Sequence, residues 1–445
     1  MDALVIGAGI SGLAAARALA RAGRAVLLIE SGDAVGGPMR TLDAAEGTGL
    51  DGYRVEAGPN TVQDSPELRE LARDAGCEDG LIPASPQARK RYLVHRGRLA
   101  GLPSGPPGLL TTGLLSPAAK LRRAGVPWRP PLADPEESVA DFFRRRLGPQ
   151  ALERFGDAMV LGVYAGDPEE LAVGYAFRRV HALEREHGSL LRGLRKAAAA
   201  GIKPPGLVSF QGGLGAFAGR LARGLEVETG WRAERVRRDA GGGDGAGFRV
   251  TAVREEQRYE VTVPRLVTAL PAAQTAELLA PLGDTAAFQR IPHAPVAVVA
   301  LGYPRERVAH RLDGFGFLVP HRENRPLLGC IFTSTLFPGT APEGHVLLTA
   351  MVGGRRRPNL LDLNDGGLRS LVHGELAQLL GIQGEPAFQR VVRWQPGIPQ
   401  PTAAWAEVSR QAVALEQAHP GLTILGNWLH GVGVPDCVRA GWSVR

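Results

Sequence analysis

The sequence predicts an α/β chain: a parallel-sheet unit at the N-terminus, an α+β part built on an antiparallel sheet, and an inserted block of helices. Three observations predict it. Residues 4–30 read as strand, glycine turn, helix, strand. Residues 136–200 switch to helical periodicity. Between Val296 and Val352 short apolar runs alternate with turns, as in an antiparallel sheet. The 445 residues suggest two or three units, and 44% hydrophobic with 22% charged residues is a globular composition.

Leu4-Val5-Ile6 is a strand-type run that meets Gly7-Ala8-Gly9-Ile10-Ser11-Gly12 at once. Leu13 to Ala22 is rich in Ala and Leu at helical spacing, and Ala25–Ile29 is a second apolar run ending in Glu30. Strand, G-x-G-x-x-G, helix, strand, acid is the order a dinucleotide site requires. Gly7 permits the tight turn, Gly9 lets a pyrophosphate approach the backbone, and Gly12 lets helix and strand pack closely. The helix start offers free N–H groups and a positive dipole end to the phosphates. Glu30 is placed to accept from a ribose diol and disfavours a 2′-phosphate. Gly36-Gly37 and Arg40 follow, then the turn Glu56-Ala57-Gly58-Pro59-Asn60 ahead of a helix at Pro66–Ala75. An NAD unit would continue in regular βα repeats. This irregular stretch, with a second glycine pair for a longer cofactor, favours FAD.

Residues 83–135 are Pro-rich and basic, with Leu109-Leu110 and Leu114-Leu115 near Lys120, Arg122, Arg123 and Trp128. Two readings stay open there: a segment on a membrane surface, or an ordinary loop and helix packed on the core. Glu137–Leu147, Gln150–Val160 and Leu183–Ala199 read as helices, with a turn cluster at Gly162–Pro168. His181 and His187 lie among acids and read as surface residues. Val208–Leu214 introduces a further helix. Strands at Arg232–Arg238 and Phe248–Val253 flank a hairpin tip at Gly241–Gly247, and Tyr259–Leu270 ends in a buried strand. The runs Val296–Leu301, Gly314–Val319, Leu327–Phe332 and Val346–Val352 form the antiparallel sheet, whose apolar face suits a flat, greasy ligand. Leu422–Asn427 is again strand-like and runs through Gly431-Val432-Gly433-Val434 into a helix start. That N-terminus suits the end of a flavin on which negative charge builds.

Three cysteines, Cys77, Cys330 and Cys437, exclude a disulfide scaffold and a C-x-x-C motif. There is no nucleophile elbow, no H-E-x-x-H and no Cys/His metal spacing, so no metal is expected. The net charge of +7 comes without a dense basic run, which gives nucleic-acid binding no support. No apolar stretch reaches the length of a membrane span, and the first residues lack a signal peptide's basic region. The chain reads as cytoplasmic.

Whole segments resemble the oxygen-dependent protoporphyrinogen oxidase family, flavoenzymes of haem synthesis within the glutathione-reductase-type and amine-oxidase-like FAD superfamily. The resemblance is carried by GAGISGLAAA (7–16), VEAGPNTVQD (55–64), ARKRYLVHRGRLAGLPSGPPGLL (88–110), GVYAGDPEELA (162–172), EREHGSLLRGL (184–194), FQGGL (210–214), GFGFLVP (314–320), LTAMVGG (348–354), RWQPGIPQ (393–400) and GNWLHGVGVPDCVRAG (426–441). It covers nearly the whole chain. It implies an α/β FAD-binding domain (Rossmann-like, glutathione-reductase type) from 1–84, 206–270 and 396–445. It implies an α+β substrate domain, built on an antiparallel sheet, from 85–92 and 271–395, and an inserted helical, membrane-associating domain from 93–205.

The resemblance further implies six-electron oxidation of protoporphyrinogen IX to protoporphyrin IX, with hydride passing to noncovalent FAD and three O2 becoming three H2O2. No side chain is expected to serve as a catalytic acid or base. Arg91, in Lys90-Arg91-Tyr92, is implied to bind a propionate, which suits guanidinium chemistry. Leu318, Ile331 and Met351 are implied to sandwich the macrocycle and Gly162 to border it. The implied cofactor set is Gly7, Ala8, Gly9, Ile10, Ser11, Gly12, Glu30, Gly36, Gly37, Pro38, Arg40, Gly58, Pro59, Asn60, Thr61, Val236 (by its backbone, at the adenine), Trp394 (beside the flavin), Val432, Gly433 and Val434. A channel opening to the bilayer would suit a poorly soluble porphyrinogen, which favours a peripheral place on the cytoplasmic membrane. A homodimer stays open. The sequence departs from the family at Pro38-Met39, at Pro401, where a tyrosine usually follows the Pro-Gln pair, and at Pro435. A coproporphyrinogen III oxidase of the same family is the nearest rival, and its substrate's four carboxylates would want more cations. An amine oxidase or desaturase would want an aromatic cage, which 6% aromatic residues do not suggest.

Overall fold

Strand β1 (Ala3–Ile6) is buried along its whole length, and the chain leaves it at Gly7, whose φ of 99° disfavours any side chain. Helix α1 (Ile10–Arg21) carries the chain back, and β2 (Val26–Glu30) pairs parallel with β1. The computed structural model describes residues 1–43, 52–103, 112–117, 134–199, 205–239 and 247–445. A short hairpin of β3 (Thr41–Leu42) and β4 (Val55–Glu56) comes next, then β5 (Val62–Gln63), α2 (Pro66–Asp74) and β6 (Leu81–Pro83). Ser65 starts α2: its hydroxyl accepts from the Leu68 N–H, and Pro66 fills the first turn. A second hairpin, β7 (Lys90–His95) and β8 (Arg98–Gly101), leads toward the helical block.

That block contains α3 (Val139–Leu147), α4 (Asp157–Tyr164), α5 (Arg178–His187) and α6 (Leu190–Ala199). It corrects three expectations. Leu183–Ala199 is not one helix, because Gly188, at φ 67°, ends α5 and α6 starts afresh. The turn cluster begins only at Ala165, at φ 48°, so Gly162, Val163 and Tyr164 form the last turn of α4. His181 is not a surface residue. It is 5% exposed on the face of α5 that also buries Glu184 against Arg145 and Arg146. His187 is half-buried. Leu114 and Leu115 are buried, Leu114 against Leu93 and Ala158, so this pair packs on the core. Leu109-Leu110, Lys120, Arg122, Arg123 and Trp128 lie outside the described residues.

The chain then returns through β9 (Leu207–Phe210), α7 (Leu214–Ala222) and β10 (Glu226–Thr229). The strands β11 (Arg232–Asp239), β12 (Gly247–Arg254) and β13 (Gln257–Val263) make a three-stranded antiparallel sheet, followed by β14 (Arg265–Thr268). Most of the glycine-rich tip between β11 and β12 lies outside the described residues. After α8 (Ala272–Leu279) come β15 (His293–Pro304), β16 (Gly314–Leu318), β17 (Leu327–Ile331), β18 (His345–Gly353), α9 (Asp365–Leu380) and β19 (Phe388–Pro399). Helix α10 (Trp405–Ala418), β20 (Leu422–Ile424) and α11 (Val434–Trp442) complete the chain.

The first sheet has five parallel strands in the order β10-β2-β1-β14-β20. One face packs on α1, α2, α7 and α11, the other on the β11–β13 sheet, α8 and α10. The large sheet has seven strands in the order β19-β15-β18-β17-β16-β7-β8. It is not wholly antiparallel. β7 reaches β16 from far back in the chain rather than through a hairpin, and that pair is parallel. The sheet also runs past the expected limits at 92 and 395, to Gly101 and Pro399. Helix α9 packs Leu368, Val372 and Leu376 onto one face and leaves the opposite face for the helical block. Among the described residues no helix is long and apolar enough to cross a membrane.

Candidate active site

The glycine turn after β1 is shaped to admit something against its backbone. A Cβ at Gly9 would meet nothing within 4 Å, whereas one at Gly12 would lie 1.9 Å from the Gly7 carbonyl oxygen. No side chain caps α1, and its first turn carries no acid. The second glycine pair lies on the first: Gly36 N–H donates to the Ala8 carbonyl at 2.8 Å, and both Gly36 (φ 108°) and Gly37 (φ 56°) need positive φ. Glu30 ends β2 and accepts from Ala8 N–H at 2.8 Å and Gly32 N–H at 2.8 Å. The Trp231 N–H donates to the Glu30 carbonyl at 2.9 Å, so β11 begins beside this acid.

The turn after β4 closes over the same place. A Cβ at Gly58 would stand 2.1 Å from the Pro38 carbonyl oxygen, and Ala57 N–H donates to the Arg40 carbonyl at 2.8 Å, while the Arg40 side chain is exposed. Asn60 is 7% exposed. Its Nδ2 donates to the Gly58 carbonyl at 3.3 Å, and its Oδ1 is buried with no partner among the described residues. Pro59 and Thr61 flank it. Trp394 reaches across from β19 and donates Nε1–H to the Ala57 carbonyl at 2.6 Å. Gly433 begins α11 with no side-chain cap, between Val432 and Val434. A Cβ at Gly441 would fall 2.3 Å from the Ser11 carbonyl oxygen, so α11 crosses α1 tightly. Val236 lies on β11, the strand that begins beside Glu30, with its side chain buried on the sheet face opposite α1. Open backbone at Gly9, two uncapped helix starts and an orphaned Asn60 Oδ1 fit FAD.

Glu56 was missed as a site residue. It accepts from Leu214 N–H at 3.0 Å and from the Thr41 hydroxyl at 2.9 Å, tying the β3–β4 hairpin to the start of α7. Burial pushes its carboxyl up to about 7 despite those hydrogen bonds. Its neighbours in the motif were legible, but its partner lies far along the chain.

The expected substrate residues share one face of the seven-stranded sheet. Arg91 pairs with Gly316, which pairs with Ile331. Leu318 pairs with Gly329, which pairs with Met351. Side chains alternate along strands, so Arg91, Leu318, Ile331 and Met351 point to the face away from α9. The same alternation explains Lys90-Arg91-Tyr92. Lys90 Nζ and the Tyr92 hydroxyl both reach Asp313, at 2.5 and 2.6 Å, and leave Arg91 alone on the other side. The Lys90 and Tyr92 hydrogen bonds hold the Asp313 carboxyl down to about 2. Arg91 is exposed, lies 5.3 Å from the Phe315 ring centre and makes no ion pair among the described residues. Gly162 faces this floor from α4: a Cβ there would stand 3.2 Å from Leu318 Cδ1. Arg356 was also missed. It follows the quoted LTAMVGG segment and bridges Asp157, five residues before the Gly162 motif, and Asp167 within it. The run Arg355-Arg356-Arg357 was its only trace in the sequence, because both acids lie far back in the chain.

Residues 10–444 match the flavin containing amine oxidoreductase family. The chain is 30% identical over 478 residues to the chloroplastic protoporphyrinogen oxidase 1 of Spinacia oleracea, covering 100% of this chain and 83% of that protein. It is 27% identical to the coproporphyrinogen III oxidase of Bacillus subtilis, covering 98% and 96%. Among solved structures it is similar to an Exiguobacterium protein, with a TM-score of 0.82, 23% identity and 99% and 97% coverage. It is also similar in fold to the cyclohexylamine oxidase of Brevibacterium oxydans, with a TM-score of 0.70, 17% identity and 100% and 97% coverage.

Proposed function

The chain belongs to the flavin containing amine oxidoreductases and is an FAD-dependent oxidase, and we propose that its substrate is protoporphyrinogen IX, oxidised to protoporphyrin IX with O2 as acceptor. One observation carries the choice of substrate. An apolar sheet face carries Arg91, which makes no ion pair among the described residues, and lies beneath a helix that presents a glycine. The reading sets a flat macrocycle against this apolar face, with a propionate on Arg91.

Bound FAD supplies a hydride acceptor for the macrocycle's saturated bridges and returns electrons to O2. The chain's own contribution is position. Arg91 binds a carboxylate bidentately and keeps its charge beside the Phe315 ring. Leu318, Ile331 and Met351 hold the ring plane. Gly162 lets α4 approach where a side chain would fill the gap. Asn60 Oδ1 and the α1 start would hold the cofactor, and the α11 start would offer its positive dipole end to the charge that develops on reduction. No acid or base is needed near the bridges, because pyrrole protons leave to water and the product gains aromaticity. Substrate entry from a bilayer surface belongs to the same reading and follows from the substrate's poor solubility.

Relatives named coproporphyrinogen III oxidase keep a second substrate in view, with four carboxylates to anchor. Turnover of the two porphyrinogens, followed by product fluorescence, tests the choice. The reading predicts faster oxidation of the protoporphyrinogen. A preference for the coproporphyrinogen would overturn the choice of substrate and leave the flavin chemistry standing.

A further inference from the structure

We infer that Arg356 is a positioning residue that sets the gap between α4 and the seven-stranded sheet, and so selects which tetrapyrrole enters. This rests on the porphyrinogen reading. Arg356 lies on the loop leaving β18, whose strand carries Met351. Its Nε and Nη2 donate to the two Asp167 oxygens, both at 2.8 Å, and its Nη1 donates to Asp157 Oδ1 at 2.6 Å. The second Asp157 oxygen accepts from His321 N–H at 2.6 Å, on the loop leaving β16, whose strand carries Leu318. Asp157 is the first residue of α4, and Asp167 follows its end by three positions. One guanidinium thus ties both ends of the roof helix to the strands that form the floor.

The clamp is built rather than incidental. Arg356 is 20% exposed and Asp157 5%. Burial of Asp167 works against its charge, but the Arg356 hydrogen bonds outweigh it and hold the carboxyl below its ordinary value. Backbone supports it: Arg355 N–H donates to the Ala165 carbonyl at 2.8 Å, and a Cβ at Gly354 would come within 2.6 Å of that oxygen. The roof has little slack over the floor, since a Cβ at Gly162 would already lie 3.2 Å from Leu318 Cδ1. A small tilt of α4 therefore changes how closely Gly162 approaches the Leu318 floor, and with it the space left for the substituents on the macrocycle's edge.

The test compares the wild type with Arg356→Lys, Arg356→Met and the triple variant Arg356→Met, Asp157→Asn, Asp167→Asn, which makes all three clamp side chains neutral and so removes the clamp without leaving buried carboxylates unpaired. KM and kcat are measured for both porphyrinogens, together with flavin content and amide hydrogen exchange along residues 157–165. The clamp predicts that the triple variant retains its flavin, exchanges faster in α4, and shows KM for protoporphyrinogen raised about tenfold with kcat within about twofold. Its preference between the two porphyrinogens narrows, and Arg356→Lys keeps most of the wild-type selectivity. An unchanged KM and unchanged preference in the triple variant overturn the inference, as does loss of flavin and activity in step with no split between KM and kcat. Failure of the substrate reading would look different: the wild type itself would oxidise neither porphyrinogen, and the clamp's role in selection would fall with it.

Discussion

Arg91 shows how much one side chain owes to its strand. Its neighbours Lys90 and Tyr92 are turned to Asp313, which fixes Arg91 on the opposite, apolar face. Replacing Arg91 with Ala should raise KM about tenfold or more, the equivalent of about 1.5–3 kcal/mol of charged hydrogen bonding. Steady-state kinetics checks this, and an unchanged KM removes Arg91 from the site. Glu56 makes a pH prediction. Its folded carboxyl titrates near 7 against an ordinary 4.5, so the folded state binds more protons than the unfolded state between those values. Stability is then highest at the acid end of that window and falls by about 3 kcal/mol as pH rises through 7. Glu56→Gln should flatten that slope in denaturant titrations at several pH values. Persistence of the full slope would assign it to another group. The alternation in Lys90-Arg91-Tyr92 can be read from sequence once a strand is assumed. Glu56 could not be, because its burial depends on Leu214, 158 positions away.

Among the elements, the glycine-turned β1–α1–β2 unit was legible to within three residues, the helix starting at Ile10 rather than Leu13, because each glycine answers a local steric demand. The helical block was legible in kind but not in its breaks. Gly188 stops α5 through a single positive φ, and Gly162 continues α4 where the glycine and Asp-Pro composition suggested a turn. Packing against the sheet decides that last turn, and composition does not encode it. The parallel pairing of β16 with β7 was hidden for the same reason. Helix α11 depends on close approach to α1 at Gly441, where a Cβ would overlap the Ser11 carbonyl at 2.3 Å. Gly441→Ala should therefore cost about 1–3 kcal/mol by overpacking and weaken flavin retention, since α1 begins at the cofactor. Thermal unfolding with and without added FAD checks both parts.

At the scale of the molecule, the parallel sheet holds a cofactor at its glycine edge, and Trp394 on β19, bonded to the Ala57 carbonyl, joins that edge to the large sheet. The cofactor turns and the substrate face are thus parts of one connected structure. Added FAD should stabilise the apoprotein by about 2.7 kcal/mol at a hundredfold excess over its dissociation constant, seen as a rise in Tm. The central claim is that electrons leave a tetrapyrrole on this face through the flavin. Mixing the flavin-loaded protein with protoporphyrinogen IX under strict exclusion of oxygen tests it most directly. The visible flavin absorbance should bleach as porphyrin fluorescence grows, and readmitted oxygen should restore the yellow colour. A flavin that stays oxidised in the presence of porphyrinogen, yet bleaches with a primary amine, would contradict the account.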